Sequence, residues 1–258
     1  MELNHSTASE FHVIIIAAGC SRRLAEMTLN TPKSFLTIKD KKIIEYILDA
    51  ISERNFRYVT IVVGYLKEKY INTVGTDYKN LKIDYVTAKD YAETGHAWSI
   101  YLTKSRWEQE KRPVFLIHAD LFFDPKMLDQ ILNSKFQDVL GVDEKFEVVD
   151  GEEVVVYGQS YCVRTIQKGA LLPSKIAGKI IGINKWSSKF MFQLFGFMEE
   201  FFEKNGTNYN WEPVIEAFIK QKDIKIYYEE CGDFPWININ YKEDYISAQN
   251  KIFDLIYG

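Results

Sequence analysis

The chain has 258 residues, 47% hydrophobic and 26% charged, with a formal net charge of −4. That balance suits one large α/β domain and argues against extensive disorder. It also argues against a nucleic-acid partner, because a polyanion binder usually carries a basic excess.

In chain order, residues 13–18 form a continuous β-branched run that predicts a buried parallel strand. A loop of glycine, small and basic residues follows at 19–23, and Pro32-Lys33 lead into a short strand at 34–38. Ile43, Ile44, Ile47, Leu48 and Ile51 have helical spacing, which predicts a helix over 43–54. A second buried strand is expected at 58–63, a short helix at 68–73, a strand at 82–86, a helix at 95–105 and a strand at 113–118 that runs to Asp120. Residues 125–132 read as a helix. A strand-rich middle comes next at 138–142, 153–157, 160–166 and 179–183, with an acidic turn around Asp150-Gly151. Helices at 187–205 and 211–221, a strand at 224–228 and a helix at 242–257 complete the chain.

Strand–helix alternation over the first half predicts a mostly parallel sheet covered on both faces. Ligands in such sheets bind at the carboxyl ends of strands, which would bring Gly19, Gly64 and Asp120 together. Cys20, Cys162 and Cys231 stand far apart with no CxxC pair, so neither a disulfide framework nor a zinc site is expected, and a cytoplasmic location fits. Residues 1–11 carry no apolar signal core. The longest apolar run, 13–18, is far too short to span a membrane, so no membrane partner is expected.

The segment Ala17-Ala18-Gly19-Cys20-Ser21-Arg22-Arg23, followed by Pro32-Lys33, carries the strongest chemical signal. Backbone N–H groups of a tight small-residue loop cradle phosphate oxygens, Arg23 can fork onto phosphate, and Lys33 supplies a point charge. An ordinary strand-to-loop turn with solvated basic residues is the bland alternative. The loop lacks GxGxxG spacing, which argues against a dinucleotide-binding oxidoreductase. Asp120, after an apolar strand, is placed to hold Mg2+ beside phosphates, or simply to cap a helix.

This run resembles the N-terminal signature of the sugar-phosphate nucleotidyltransferase-like superfamily, AAGxGxR…PK, with Ser21 where the second glycine often stands. The resemblance implies a Rossmann-like, doubly wound, mostly parallel mixed sheet of the glycosyltransferase-A kind, with a small strand-rich acceptor-binding lobe. It implies in-line attack of a phosphate or phosphonate oxygen on the α-phosphorus, with pyrophosphate leaving. Arg23 and Lys33 would then stabilise the reacting phosphates, Ala17, Ala18, Gly19, Cys20, Ser21 and Gly64 would hold the nucleotide, and Asp120 would bind Mg2+. Gly95-His96-Ala97-Trp98-Ser99 looks like the stretch that meets the nucleobase, through Gly95 and Ser99.

Later segments are similar to bacterial phosphocholine and aminoethylphosphonate cytidylyltransferases, notably residues 64–68, 156–158, 180–186 and 209–212. In that reading the partners are CTP and a small phosphorylated amino compound. Trp211 and Glu212 would meet an ammonium group, although Trp211 also reads as a core anchor and Glu212 as a first-turn charge. The stretch Trp236-Ile237-Asn238-Ile239-Asn240 stands where the superfamily supplies a second metal ligand, and here both candidates, Asn238 and Asn240, are neutral amides. Trp236 is taken as a further substrate contact.

The expected organisation is a single domain, with a nucleotide-binding half at 11–135, an acceptor-binding half at 136–241 and a C-terminal helix at 242–258. A sugar-1-phosphate nucleotidyltransferase using UTP, dTTP or CTP, and a non-catalytic nucleotide-binding domain, are the competing readings. The aromatic helix at 187–205 suits either a homodimer face or the core.

Overall fold

Side-chain alternation along β1 (His12–Ala17) decides the layering. Val13, Ile15 and Ala17 join one buried cluster while Ile14 joins the other, so both faces of the strand are covered. The computed structural model describes residues 7–147, 153–169 and 176–258.

The chain continues through β2 (Thr37–Ile38), β3 (Lys41–Lys42), α1 (Ile43–Glu53), β4 (Tyr58–Val63), α2 (Lys67–Val74), β5 (Asp77–Tyr78) and β6 (Leu81–Thr87). Next come α3 (His96–Tyr101), α4 (Lys104–Glu110), β7 (Val114–His118), β8 (Leu121–Phe123), α5 (Lys126–Leu132) and β9 (Val139–Asp143). After β10 (Val154–Gln159), β11 (Cys162–Lys168) and β12 (Ile176–Trp186) come α6 (Ser188–Asn205), α7 (Trp211–Gln221), β13 (Tyr227–Glu230) and β14 (Trp236–Asn238). Helices α8 (Lys242–Ser247) and α9 (Phe253–Tyr257) flank a π-helical turn at Ala248–Ile252.

Among the described residues, ten strands form one mixed sheet in the order β10-β11-β13-β9-β12-β7-β1-β4-β6-β5. The stretch β7-β1-β4-β6 is parallel throughout, and β12 joins it antiparallel to β7. Strand β10 also pairs with β12, so β10, β11, β13, β9 and β12 close into a five-stranded barrel. The strand-rich half is therefore a barrel continuous with the main sheet. Strand β12, 11 residues long, bridges the two by pairing with β7, β9 and β10.

Helix α1 forms as its spacing predicts, with Ile43, Ile44, Ile47, Leu48 and Ile51 all buried. Helix α6 starts at Ser187, whose Oγ accepts the Phe190 N–H at 3.1 Å, and ends at Gly206 with φ of 80°. Most of its aromatics are core, although Phe192 is 68% exposed.

The helix expected over 95–105 breaks into α3 and α4. Thr103 is buried, and its N–H and hydroxyl both donate to the Ile100 carbonyl, which tightens the turn there. Residues 33–35 form a 3-10 turn, closed by Phe35 N–H to Pro32 O at 2.8 Å, so the strand expected at 34–38 shrinks to Thr37–Ile38. The strand expected at 224–228 begins only at Tyr227, and the π turn interrupts the C-terminal helix. The acidic turn around Asp150-Gly151 lies outside the described residues. Among the described residues no helix is long and apolar enough to cross a membrane.

Candidate active site

Three parallel strands end side by side. Ala17 of β1 is in register with Val63 of β4, and Ile16 with His118 of β7. Backbone hydrogen bonds extend this register past the strand ends, with Tyr65 N–H to Ala18 O and Ala119 N–H to Ile16 O, both at 3.1 Å. Gly19, Gly64 and Asp120 accordingly share one edge of the sheet.

The loop after β1 is open. Gly19 is exposed with free space where a Cβ would stand, and Cys20 and Ser21 are half-buried. Ser21 takes the left-handed conformation, φ 50°, and its carbonyl accepts the Leu24 N–H at 3.0 Å, which turns the chain into the 3-10 helix Arg22–Met27. Arg23 is exposed, with its guanidinium carbon 5.4 Å from the centre of the Tyr241 ring. Gly64 supports this loop from behind, since a Cβ there would lie 2.7 Å from Ala18 O and 2.8 Å from Tyr91 Cβ.

Across the edge sits a charged cluster that the sequence order hides. Lys33 Nζ donates to Asp120 Oδ2 at 2.7 Å and to Asn240 Oδ1 at 3.0 Å. Strand β14 makes this meeting possible. It pairs with β8 so that Asn238 faces Leu121, and Ile239 N–H binds Asp120 O at 3.0 Å. Asp244 then holds the turn by accepting the Asn240 and Tyr241 N–H groups. Burial pushes the Asp120 carboxyl upward, but the Lys33 charge and, behind it, His118 outweigh burial and leave it below the usual carboxylate range.

Asp120 Oδ1 and Asn238 Oδ1 are buried with no hydrogen-bond partner. Such orphaned oxygens fit a hard cation, which takes carboxylate and amide oxygens. Among the described residues no three His, Cys, Asp or Glu side chains gather as a metal cage. A cation here would rest on one carboxylate, asparagine amides and the phosphates of a ligand, as Mg2+ usually does.

From this edge a cleft of about 710 Å³ runs toward the barrel, lined among others by Arg23, His118, Glu212, Trp236, Asn238 and Asn240. Glu212 stands at the start of α7 beside α3. Its Oε2 lies 3.8 Å from His96 Nε2, too long for a hydrogen bond, and has no other partner. The Trp211 N–H donates to His96 Nδ1 at 3.3 Å, which leaves the proton of a neutral ring on Nε2. Burial, aided by His118, pushes His96 down to about 3. Burial pushes Glu212 up to about 7.

That shift predicts a pH effect. Glu212 binds its proton more tightly in the fold, so its contribution to stability is full below the ordinary carboxylate range. It is lost as pH rises through about 7. Glu212→Gln is expected to flatten this loss and to gain up to roughly 3 kcal/mol at pH 8. Denaturation midpoints at pH 5 and pH 8 check it, and parallel losses in wild type and variant would refute it.

Trp211 does not line the cleft. It is 1% exposed, with its ring 6.1 Å from that of His118, so it is the core anchor rather than an ammonium contact. Trp236 does reach the cleft, where its Nε1 donates to Asp143 Oδ2 at 3.0 Å and Lys179 Nζ lies 5.6 Å from its ring centre.

Gly95 has a different reason from the one its motif suggests. A Cβ there would lie 2.0 Å from Tyr209 O, and the Gly95 N–H binds Thr207 O at 3.0 Å. The missing side chain admits the segment that leads into α7. Gly95→Ala is therefore expected to destabilise the fold by about 2–3 kcal/mol, read as a lowered midpoint of chemical denaturation. An unchanged midpoint would show that the space is free for a ligand. Ser99 is buried within α3.

The sequence reading missed the facing pair His96 and His118, 5.4 Å between ring centres, and the Asp143–Trp236 contact. His96 and His118 are 22 positions apart in the chain, and neither falls in a spaced motif.

A small-residue loop, a lysine–carboxylate pair and orphaned amide oxygens at the carboxyl ends of parallel strands define a site for a nucleoside triphosphate. The chain belongs to the MobA-like NTP transferase domain family, whose model matches residues 13–166. It is similar to the choline-phosphate cytidylyltransferase of Streptococcus pneumoniae, 29% identical and covering 90% of this chain and 94% of the relative. It is also similar to the 2-aminoethylphosphonate cytidylyltransferase of Lancefieldella rimae, 25% identical over 86% of each. The solved structure of the S. pneumoniae CTP:phosphocholine cytidylyltransferase shares the fold, with a TM-score of 0.70 at 23% identity, covering 93% of this chain and 97% of that one.

Proposed function

We propose that this chain is a Mg2+-dependent cytidylyltransferase that transfers CMP from CTP to a small phosphorylated or phosphonylated amino compound and releases pyrophosphate. The observation that carries this reading is the meeting of Lys33, Asp120 and Asn240 beside the open loop at Gly19 to Arg23. The similarity to cytidylyltransferases over nearly the whole chain supports the choice of CTP. The parallel stretch β7-β1-β4-β6 supports a Rossmann-like nucleotide half, with the barrel as the acceptor side.

An oxygen of the acceptor phosphate attacks the α-phosphorus and forms a new P–O bond. The bond from the α-phosphorus to the bridging oxygen breaks in line, and pyrophosphate leaves with the electron pair. The loop N–H groups and Arg23 hold the triphosphate, and Lys33 places its charge on the reacting phosphates. Mg2+ held by Asp120, Asn238 and Asn240 supplies further neutralisation of phosphate charge when bound. Glu212, on the acceptor side of the cleft, faces the amino group.

The test is pyrophosphate release with CTP, Mg2+ and a panel of phosphocholine, phosphoethanolamine and 2-aminoethylphosphonate. Silence across the panel overturns the reading. Stronger thermal stabilisation by UTP or dTTP than by CTP would instead favour a sugar-1-phosphate nucleotidyltransferase. Nucleotide binding without release would favour a non-catalytic domain, a reading motivated by the neutral Asn238 and Asn240.

A further inference from the structure

We infer that the acceptor carries a primary ammonium group rather than a quaternary one, and that Glu212 is the side chain that selects it; this rests on the cytidylyl-transfer reading above. The two cations need different surroundings. A quaternary ammonium donates no hydrogen bond and is held by open aromatic faces. A primary ammonium has three N–H donors and is satisfied by carboxylate and carbonyl oxygens.

The aromatic rings around the cleft are already engaged. Trp211 is 1% exposed and sits behind His118. Trp236 carries the Lys179 ammonium 5.6 Å from its ring centre, and its Nε1 is bonded to Asp143. Tyr241 carries the Arg23 guanidinium at 5.4 Å. Phe146 also lines the cleft, and one ring does not make a cage.

The oxygen side is open for use. The Glu212 side chain is 13% exposed where it lines the cleft, and its Oε2 lacks a hydrogen-bond partner. His96, neutral and 3.8 Å away, does not supply a counter-charge. A carboxylate left without a cation in a half-closed site is costly, and an incoming ammonium that donates to it removes that cost. The same carboxylate would gain only a diffuse attraction from a trimethylammonium, whose methyl groups hold the charge away from the oxygen.

The experiment measures kcat/KM of the full chain with CTP for phosphoethanolamine and its mono-, di- and trimethylated forms, the last being phosphocholine. A stepwise fall of about tenfold or more from the first to the last is expected, the size of one lost charge-assisted hydrogen bond. Glu212→Gln should lower kcat/KM for phosphoethanolamine at least about tenfold more than for phosphocholine. Equal or better use of phosphocholine by the wild type overturns the inference and leaves the cytidylyl-transfer reading standing. An equal loss for both acceptors in Glu212→Gln removes Glu212 as the selecting group. No transfer to any acceptor overturns the inference and that reading together.

Discussion

Lys33→Ala is expected to lower the rate of pyrophosphate release by about 10²–10³-fold at saturating CTP, the usual cost of removing one preorganised charge from a developing transition state. The fold should survive, because the Lys33 side chain lines the site edge and its two partners are cleft groups. Circular dichroism and a thermal melt would establish that. The same variant has a second readout. In the free protein the Lys33 ammonium sits where a cation bound to Asp120 and Asn240 would sit, 2.7 and 3.0 Å from their oxygens. Removing it should therefore tighten Mn2+ binding in the absence of nucleotide, measured by calorimetric titration, even as turnover falls. A wild-type rate in this variant would remove Lys33 from the reaction. Unchanged or weaker Mn2+ binding would place the cation elsewhere.

Asp120→Asn should lower turnover by about 10²-fold or more and shift the Mg2+ requirement upward, because the site would lose its one carboxylate and keep only amide oxygens. Rate against Mg2+ concentration in wild type and variant decides this, and superimposable curves would defeat the assignment. A stability effect accompanies it. The Asp120 carboxyl is held below its ordinary range, its burial being outweighed by Lys33, so its contribution is present above that range. It is lost as pH falls through the lowered value. The asparagine variant should be less stable near neutrality and should lose part of the acid sensitivity of the wild type.

The arrangement of these groups explains why a neutral-amide tail need not mean an idle site. Asn238 and Asn240 are fastened by strand pairing to the residues around Asp120, not carried on a loose terminus. Pre-positioning of weak ligands offsets part of what charge would otherwise contribute.

Much of this was legible in the sequence because it is local. The run at 13–18 is apolar on both faces, and a strand covered by two helical layers needs that pattern, so β1 formed as expected. The helix over 43–54 and the one at 211–221 arose from spacing that buries one stripe. The loop at Gly19 to Arg23 and the Asp120 position lie at strand ends, and the rule for parallel sheets brings strand ends together.

What only the tertiary structure decided depends on contacts between distant segments. The 207 positions between Lys33 and Asn240 give no local sign that the two side chains share a hydrogen bond. Strand β14 is three residues long and has no periodicity of its own; it exists because β8 offers an edge to pair with. The barrel closes through β10 pairing with β12, a non-local choice that no run of residues announces. Trp211 and Glu212 are the plainest case. Neighbours in sequence, they begin one helix, yet the packing of α7 against α3 turns the tryptophan into the core and leaves the carboxylate on the cleft. Sequence determined which residue types stand at each strand end and helix start. Packing decided which of them face the ligand, because burial of one face of an element is settled by the elements laid against it.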